Sequence, residues 1–231
     1  MKKEELVARL GQQLHAVKEE RKVNQREPAM LAARTALKQF QSARLARTHA
    51  DLLADGNTNG AALFFLEELY GSHDLSQRDT DLERIIPTMQ RMLSYEALHA
   101  ITEAIVLDAL SERLDSAMAR VLGPTFDEAA YVAAYRVVAT RAERERQLAL
   151  VQELGDALSA LVRIPFLATT LAIMRGPARM AGLGDLQRFL ERGFTTFQKM
   201  AKPRLFVSTI TGREREVLEH IFGGRADPFK L

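Results

Sequence analysis

The sequence contains no cysteine. That excludes disulfides, thiolate metal ligation and cysteine nucleophiles, and leaves any metal site to His, Asp and Glu. Nor does one sign of charge dominate: 32 Lys and Arg stand against 30 Asp and Glu, a net charge of +2 despite a pI of about 9.0, so no nucleic-acid partner is expected. Long hydrophobic runs are missing too. The opening "MKKEELVARLGQQLHAVKEERK" interleaves acids and bases without the apolar heart of a signal peptide, and it reads as a cytoplasmic terminus. The most apolar later segment, residues 157–174, is interrupted by Arg163 and Pro165, which suits a buried helix better than a membrane span, so no transmembrane segment is expected. There is no internal repeat, no low-complexity tract and no phosphate-binding loop. "GLG" at residues 182–184 follows a helical corner rather than a strand, the place of a helix terminator rather than a dinucleotide fingerprint. No serine stands in a nucleophile elbow.

What the chain has is a globular composition, 47% hydrophobic and 27% charged over 231 residues, long enough to bury a core without staples. Apolar residues recur at three and four positions and nowhere alternate, so the expected fold is all-α, a multi-helix bundle with long central helices and an N-terminal helical hairpin. One domain over residues 1–231 is expected, divided into a hairpin at 1–55, a helical core at 56–222 and a loose tail at 223–231. The first helix, residues 3–21, carries Leu6, Leu10, Leu14 and Val17 as one narrow stripe on a charged rod, a face that docks on the body or forms a dimer seam. Pro28 opens the second helix, which "DGNTNG" ends near residue 54. Pro87 marks a kink or break in a helix over 79–93, and Ser94 caps a central helix that closes at Gly123. "TFDE" at 125–128 has capping-box spacing and opens a helix through Val138, which either ends there or joins "TRAERERQ" and continues to residue 174 with a bend at Pro165. Two further helices cover 185–200 and 203–222.

The stretch "AALFFLEELYG" at residues 61–71 is apolar almost all round. At about 100° per residue, Ala62, Phe65, Leu66 and Leu69 share a face, Leu63 and Tyr70 flank it and Phe64 lies opposite. Glu67 and Glu68 hold the remaining sector. An unpaired buried carboxylate is costly, so the pair faces solvent, meets arginines, with Arg78 or Arg84 foremost, or lines a polar pocket. The central helix is expected to contact this one and to complete a candidate polar site of Glu67, Glu68, Tyr70, Arg78, Asp79, Asp108 and Glu112.

"FFLEELYG", followed by "RD" at 78–79, "LERIIP", "LDALSERLD" and "AGLGDLQRFLERGF", resembles an uncharacterised bacterial group of helical proteins named for the FFLEELY motif. The resemblance spans most of the chain after residue 50. It implies a bacterial source and makes the glutamate-bearing helix the hallmark of the group, and it carries no activity and no catalytic residues.

Metal chemistry has one partial signal. "EALH" places Glu96 and His99 at the Glu-x-x-His spacing of di-iron bundles, with Glu103 on the same stripe. The second half of such a site is missing, since none of His15, His49, His73 and His220 follows a glutamate by three residues. Glu216 and His220 stand at i, i+4. Asp108, Glu112 and Asp115 form another acidic stripe, suited to pairing with arginines of neighbouring helices. Arg175, Arg179 and Arg188 around "RGPARMAGLG" could grip an anion at the following helix start, or pair with acids. No cofactor is expected. The expected role is a non-catalytic interaction module or carrier of an apolar ligand, with a protein or apolar small molecule as partner and a homodimer possible by the leucine stripe. The alternative is a metal enzyme built from glutamates and histidine.

Overall fold

The computed structural model describes residues 2–68 and 76–231, the Glu68 side chain excepted. Among them are 11 helices and no strand, an all-α bundle as the periodicity requires. α1 (Lys3–Arg26) and α2 (Pro28–Thr48) meet at Glu27 alone, whose extended backbone (φ −108°, ψ 107°) is the conformation imposed on a residue before proline. α3 (Ala50–Ala54) is a single turn, and α4 (Asn59–Glu68) carries the described part of the FFLEELY stretch. α5 (Ser76–Met92) runs through Pro87 without ending, so of the kink or break expected there the break does not occur.

α6 (Tyr95–Leu122) is the central element. Ser94 caps it by accepting from the Ala97 amide at 3.2 Å, and Gly123 closes it at φ +66°, where glycine avoids a side-chain clash. α1 lies along α6, and their contacts climb together from Lys3–Leu93 through Arg9–Glu103 to Asn24–Ser116, so the two helices run parallel. Leu6, Leu10, Leu14 and Val17 are all 0% exposed, and the leucines pack with Leu82 and Met89 of α5 and Leu98 and Ile105 of α6. Each such burial contributes about 1.5–3 kcal/mol. The stripe is therefore spent inside the chain and offers no dimer seam, and it builds the hairpin into the bundle against α5 and α6.

Residues 125–174 are divided among three helices instead of joining in one. α7 (Glu128–Val138) is capped by Asp127, not Thr125, and stops at Ala139. Thr140 and Glu143 then form a capping box that starts α8 (Arg141–Leu161): a T-x-x-E signal inside the charged run overrides the helical period. Pro165 separates α8 from α9 (Leu167–Met180) instead of bending one rod. α10 (Gly184–Lys199) supports α9, and α11 (Pro203–Gly223) pairs antiparallel with α8, where Arg141 meets Glu219 and Gln152 meets Thr211. The C-terminal segment is docked, not loose. Pro228 is buried, its carbonyl accepts from His220 Nδ1 at 3.0 Å, and the Phe229 ring lies 6.1 Å from Tyr131 and 6.5 Å from Phe40.

Among the described residues the main packing of α4 is on α10, α3 and α2 rather than on the central helix. Phe64 is seated against Gly193 and lies 5.7 Å from Phe189, while Phe65 is 6.0 Å from both Phe197 and Phe206. A β-carbon on Gly193 would stand 3.1 Å from the Phe64 ring, so this close approach depends on glycine. The motif helix is thus an aromatic plug that fastens α10 and α11.

Candidate functional site

The largest concentration of buried charge lies between α1, α2, α5 and α6. Arg21 continues the apolar stripe of α1 by one more step of four, and Asn24 by three, so the same face that buries leucines carries a guanidinium and an amide into the core. On α2 the buried face reads Met30, Arg34, Leu37, Gln41, Arg44 at alternating steps of four and three. α6 answers with Asp108, Glu112 and Ser116, and the first turn of α5 with Arg78 and Asp79.

The charges close on one another. Arg21 pairs with Asp79 through Nη1, and its Nη2 donates to Asp108 at 2.9 and 3.1 Å and to Glu112 at 3.4 Å. Arg78 Nη2 donates to Asp108 at 2.7 Å and to Asp79 at 3.0 Å. Arg34 pairs with the Glu112 carboxylate and donates to the Glu112 carbonyl at 3.2 Å and Ser116 Oγ at 2.8 Å, an oxygen that also accepts from Asn24 at 2.9 Å. Asp79 is 0% exposed, Glu112 6% and Arg34 7%. Three guanidiniums face three carboxylates with each carboxylate between two arginines, the arrangement that offsets a desolvation cost of several kcal/mol per ion. Burial draws the Arg78 guanidinium below its usual range, with Asp108 opposing the shift.

Two smaller nodes repeat the pattern. Glu103 lies between Arg9 at 2.7 Å and Arg146 at 3.1 Å. Glu214 of α11 accepts from Arg44 at 2.5 and 2.6 Å and faces His49 Nε2 at 3.0 Å. Burial pushes the Glu214 carboxyl up, yet Arg44 and His49 together hold it below the ordinary carboxylate range. Nearby, Arg144 stacks 4.0 Å from the centre of the Tyr135 ring, and burial raises the Tyr135 phenol to about 12.

Of the seven residues expected at a polar site, Arg78, Asp79, Asp108 and Glu112 converge. Glu67 does not join them. It sits half-exposed on the rim of α4 and pairs with Arg192 of α10, not with Arg78 or Arg84, because α4 docks on α10. Arg78 is turned into the ionic cluster, and Arg84 donates to the Ala181 carbonyl at 2.6 Å. The Glu68 side chain and Tyr70 lie outside the described residues. The metal alternative does not assemble: Glu96 is exposed in the first turn of α6, His99 is half-buried beside Tyr95, and Glu103 is taken by its two arginines. Among the described residues no group of three or more His, Asp and Glu is placed to hold a metal ion. The anion corner is altered likewise. Arg175 binds Glu191 at 2.8 Å, Arg188 pairs with Asp185, and Arg179 is exposed.

Sequence reading missed Arg21, Arg34, Asn24 and Ser116. The signal was present in the register of their helices: a charged residue falling in phase with a buried stripe is carried inward with it, and the acidic stripe of α6 is its complement.

No curated protein and no solved structure matches the chain. A family model described as a domain of unknown function (DUF8198) matches residues 20–228, which include every member of the buried ionic cluster, and the chain belongs to that family.

Proposed function

We propose that the protein is a non-catalytic helical interaction module whose buried charges act as an internal clamp. The observation that carries this reading is the closure of the cluster. Asp79, Asp108 and Glu112 each lie between two arginines. A carboxylate so held is a poor general base, and arginine keeps its proton throughout the working pH range. A divalent ion would have to displace guanidiniums that are themselves buried. The cluster instead joins two pairs of consecutive helices, α1 with α2 and α5 with α6, that lie far apart in sequence, at the point where α1 and α2 turn polar inside the core. Geometric registry is its contribution, since a wrong register would leave a buried charge alone. The cysteine-free composition fits a cytoplasmic protein.

Elemental analysis and native mass spectrometry of the protein as purified from cells test this. The expected result is the mass of the polypeptide, or a multiple of it, with no stoichiometric metal. Stoichiometric iron, manganese or zinc lost on replacing Asp108 or Glu112 would overturn the reading in favour of a carboxylate metal site.

A further inference from the structure

α9 presents an apolar outer face that none of the described residues covers. It packs on α10, where Gln187 donates to the Leu171 carbonyl at 2.6 Å, and along it Ala178 is buried and Leu167 and Leu171 are half-buried. On the opposite side, Phe166, Ile173 and Met180 repeat every seven residues and so form one line along the helix, about 21 Å long at 1.5 Å per residue. They are 82%, 68% and 85% exposed. Ile164, half-exposed, precedes them. Phe166 has φ +65°, a left-handed backbone uncommon for an aromatic residue, and its ring gains no buried contact in return. Side chains this exposed stand clear of the surface; they do not line a groove.

Charge separates the possible occupants. Residues 157–184 contain no Asp or Glu, and Arg163, Arg175 and Arg179 are their only charges. Over residues 163–199 six Lys and Arg stand against two Asp and Glu, a local charge of +4 in a chain whose total is +2. Arg175 is shared with Glu191, while Arg163 and Arg179 are exposed and form no ion pair among the described residues. A second copy seated on this face across a two-fold axis would set the same cations against each other. A helical partner is also poorly served. The positions between the three apolar residues, where a knobs-into-holes seam needs its second apolar set, are Thr169, Thr170, Gly176 and Pro177. A fluid apolar layer beneath anionic headgroups needs no such complement and accepts a protruding apolar row flanked by arginines. No helix among the described residues is long and apolar enough to cross a membrane, so α9 would lie on the surface.

We propose that the outer face of α9 docks on an anionic lipid surface, with Phe166, Ile173 and Met180 below the headgroups and Arg163 and Arg179 at their level. This rests on the interaction-module reading and supplies its partner. The test is flotation of the full chain with vesicles of phosphatidylcholine alone and of phosphatidylcholine mixed with phosphatidylglycerol. Binding is expected only to the mixed vesicles, weakening as salt is raised. The double variant Ile173→Gln/Met180→Gln, at exposed positions whose change leaves the circular dichroism spectrum intact, should bind about tenfold more weakly or worse, and Arg163→Gln/Arg179→Gln should lose binding as well. Absence of binding to the anionic vesicles, or binding untouched by the apolar double variant, overturns the proposal. If the same double variant instead dissociates a dimer in sedimentation, α9 is a protein contact: the lipid inference falls while the module reading stands. A stoichiometric metal in the purified protein would strike the module reading and leave the flotation result to be judged separately.

Discussion

Replacing Arg34 by methionine removes one charge from the buried cluster and keeps much of the side-chain volume. Three guanidiniums and three carboxylates then become two and three. Glu112 loses its partner on α2 and retains only Arg21, at 3.4 Å, longer than the roughly 2.7–2.9 Å of a good charge-assisted bond. Ser116 keeps Asn24 at 2.9 Å, so the loss is concentrated on the carboxylate. Breaking a buried pair in this way costs about 3–5 kcal/mol, a large part of the roughly 5–15 kcal/mol that holds a typical domain. Adding Glu112→Leu removes the orphan and leaves Arg21 and Arg78 against Asp79 and Asp108, again balanced. The double variant should recover to within about 1 kcal/mol of the parent, since well-packed apolar replacements of buried ion pairs are often neutral. Urea unfolding followed by circular dichroism measures both, and the single Glu112→Leu variant completes the cycle that isolates their coupling. A single variant that loses less than about 1 kcal/mol would mean that water reaches Glu112. A double variant as unstable as the single would mean that packing, not charge, is what Arg34 supplies.

Two further outcomes follow from close contacts elsewhere. Gly155 lies where α8 touches α11, and a β-carbon there would stand 2.5 Å from Val207 Cγ2 and nearer still to Cγ1; the overpacking cost of about 1–3 kcal/mol should exceed the gain in helix propensity of about 0.8–1 kcal/mol, so Gly155→Ala lowers the melting temperature and Val207→Ala added to it restores part of the loss. Glu214 is held below its ordinary pKa of 4.5 in the folded state, so the stability it contributes is full above that value and is lost as the pH falls through the folded one; the gap between wild type and Glu214→Gln in urea should be constant near neutrality and shrink on acidification, and a gap that widened in acid would show that the carboxylate is not stabilised by Arg44 and His49.

Much of the architecture could be read from the chain because it is local. Helical period, the Ser94 cap, the Gly123 terminator and Pro28 at a helix start act over a few residues, and each does in the structure what its chemistry requires. The errors were local as well where two signals competed: the Thr140–Glu143 capping box divided a run that the apolar period alone would have carried through. Pairing was not legible. That Asp108 and Glu112 would face arginines was implied by an acidic stripe on a central helix, but which arginines depended on α1 lying parallel to α6, and Glu67 met Arg192 rather than Arg78 only because α4 docked on α10. The sequence by itself determined the helices, their faces and the charge each face bears. Only the tertiary structure decided which faces meet, because helix packing is set by the summed burial of many side chains over long sequence separations. The same choice turned four of the seven expected polar residues into a closed internal cluster and left the apolar row of α9 outside.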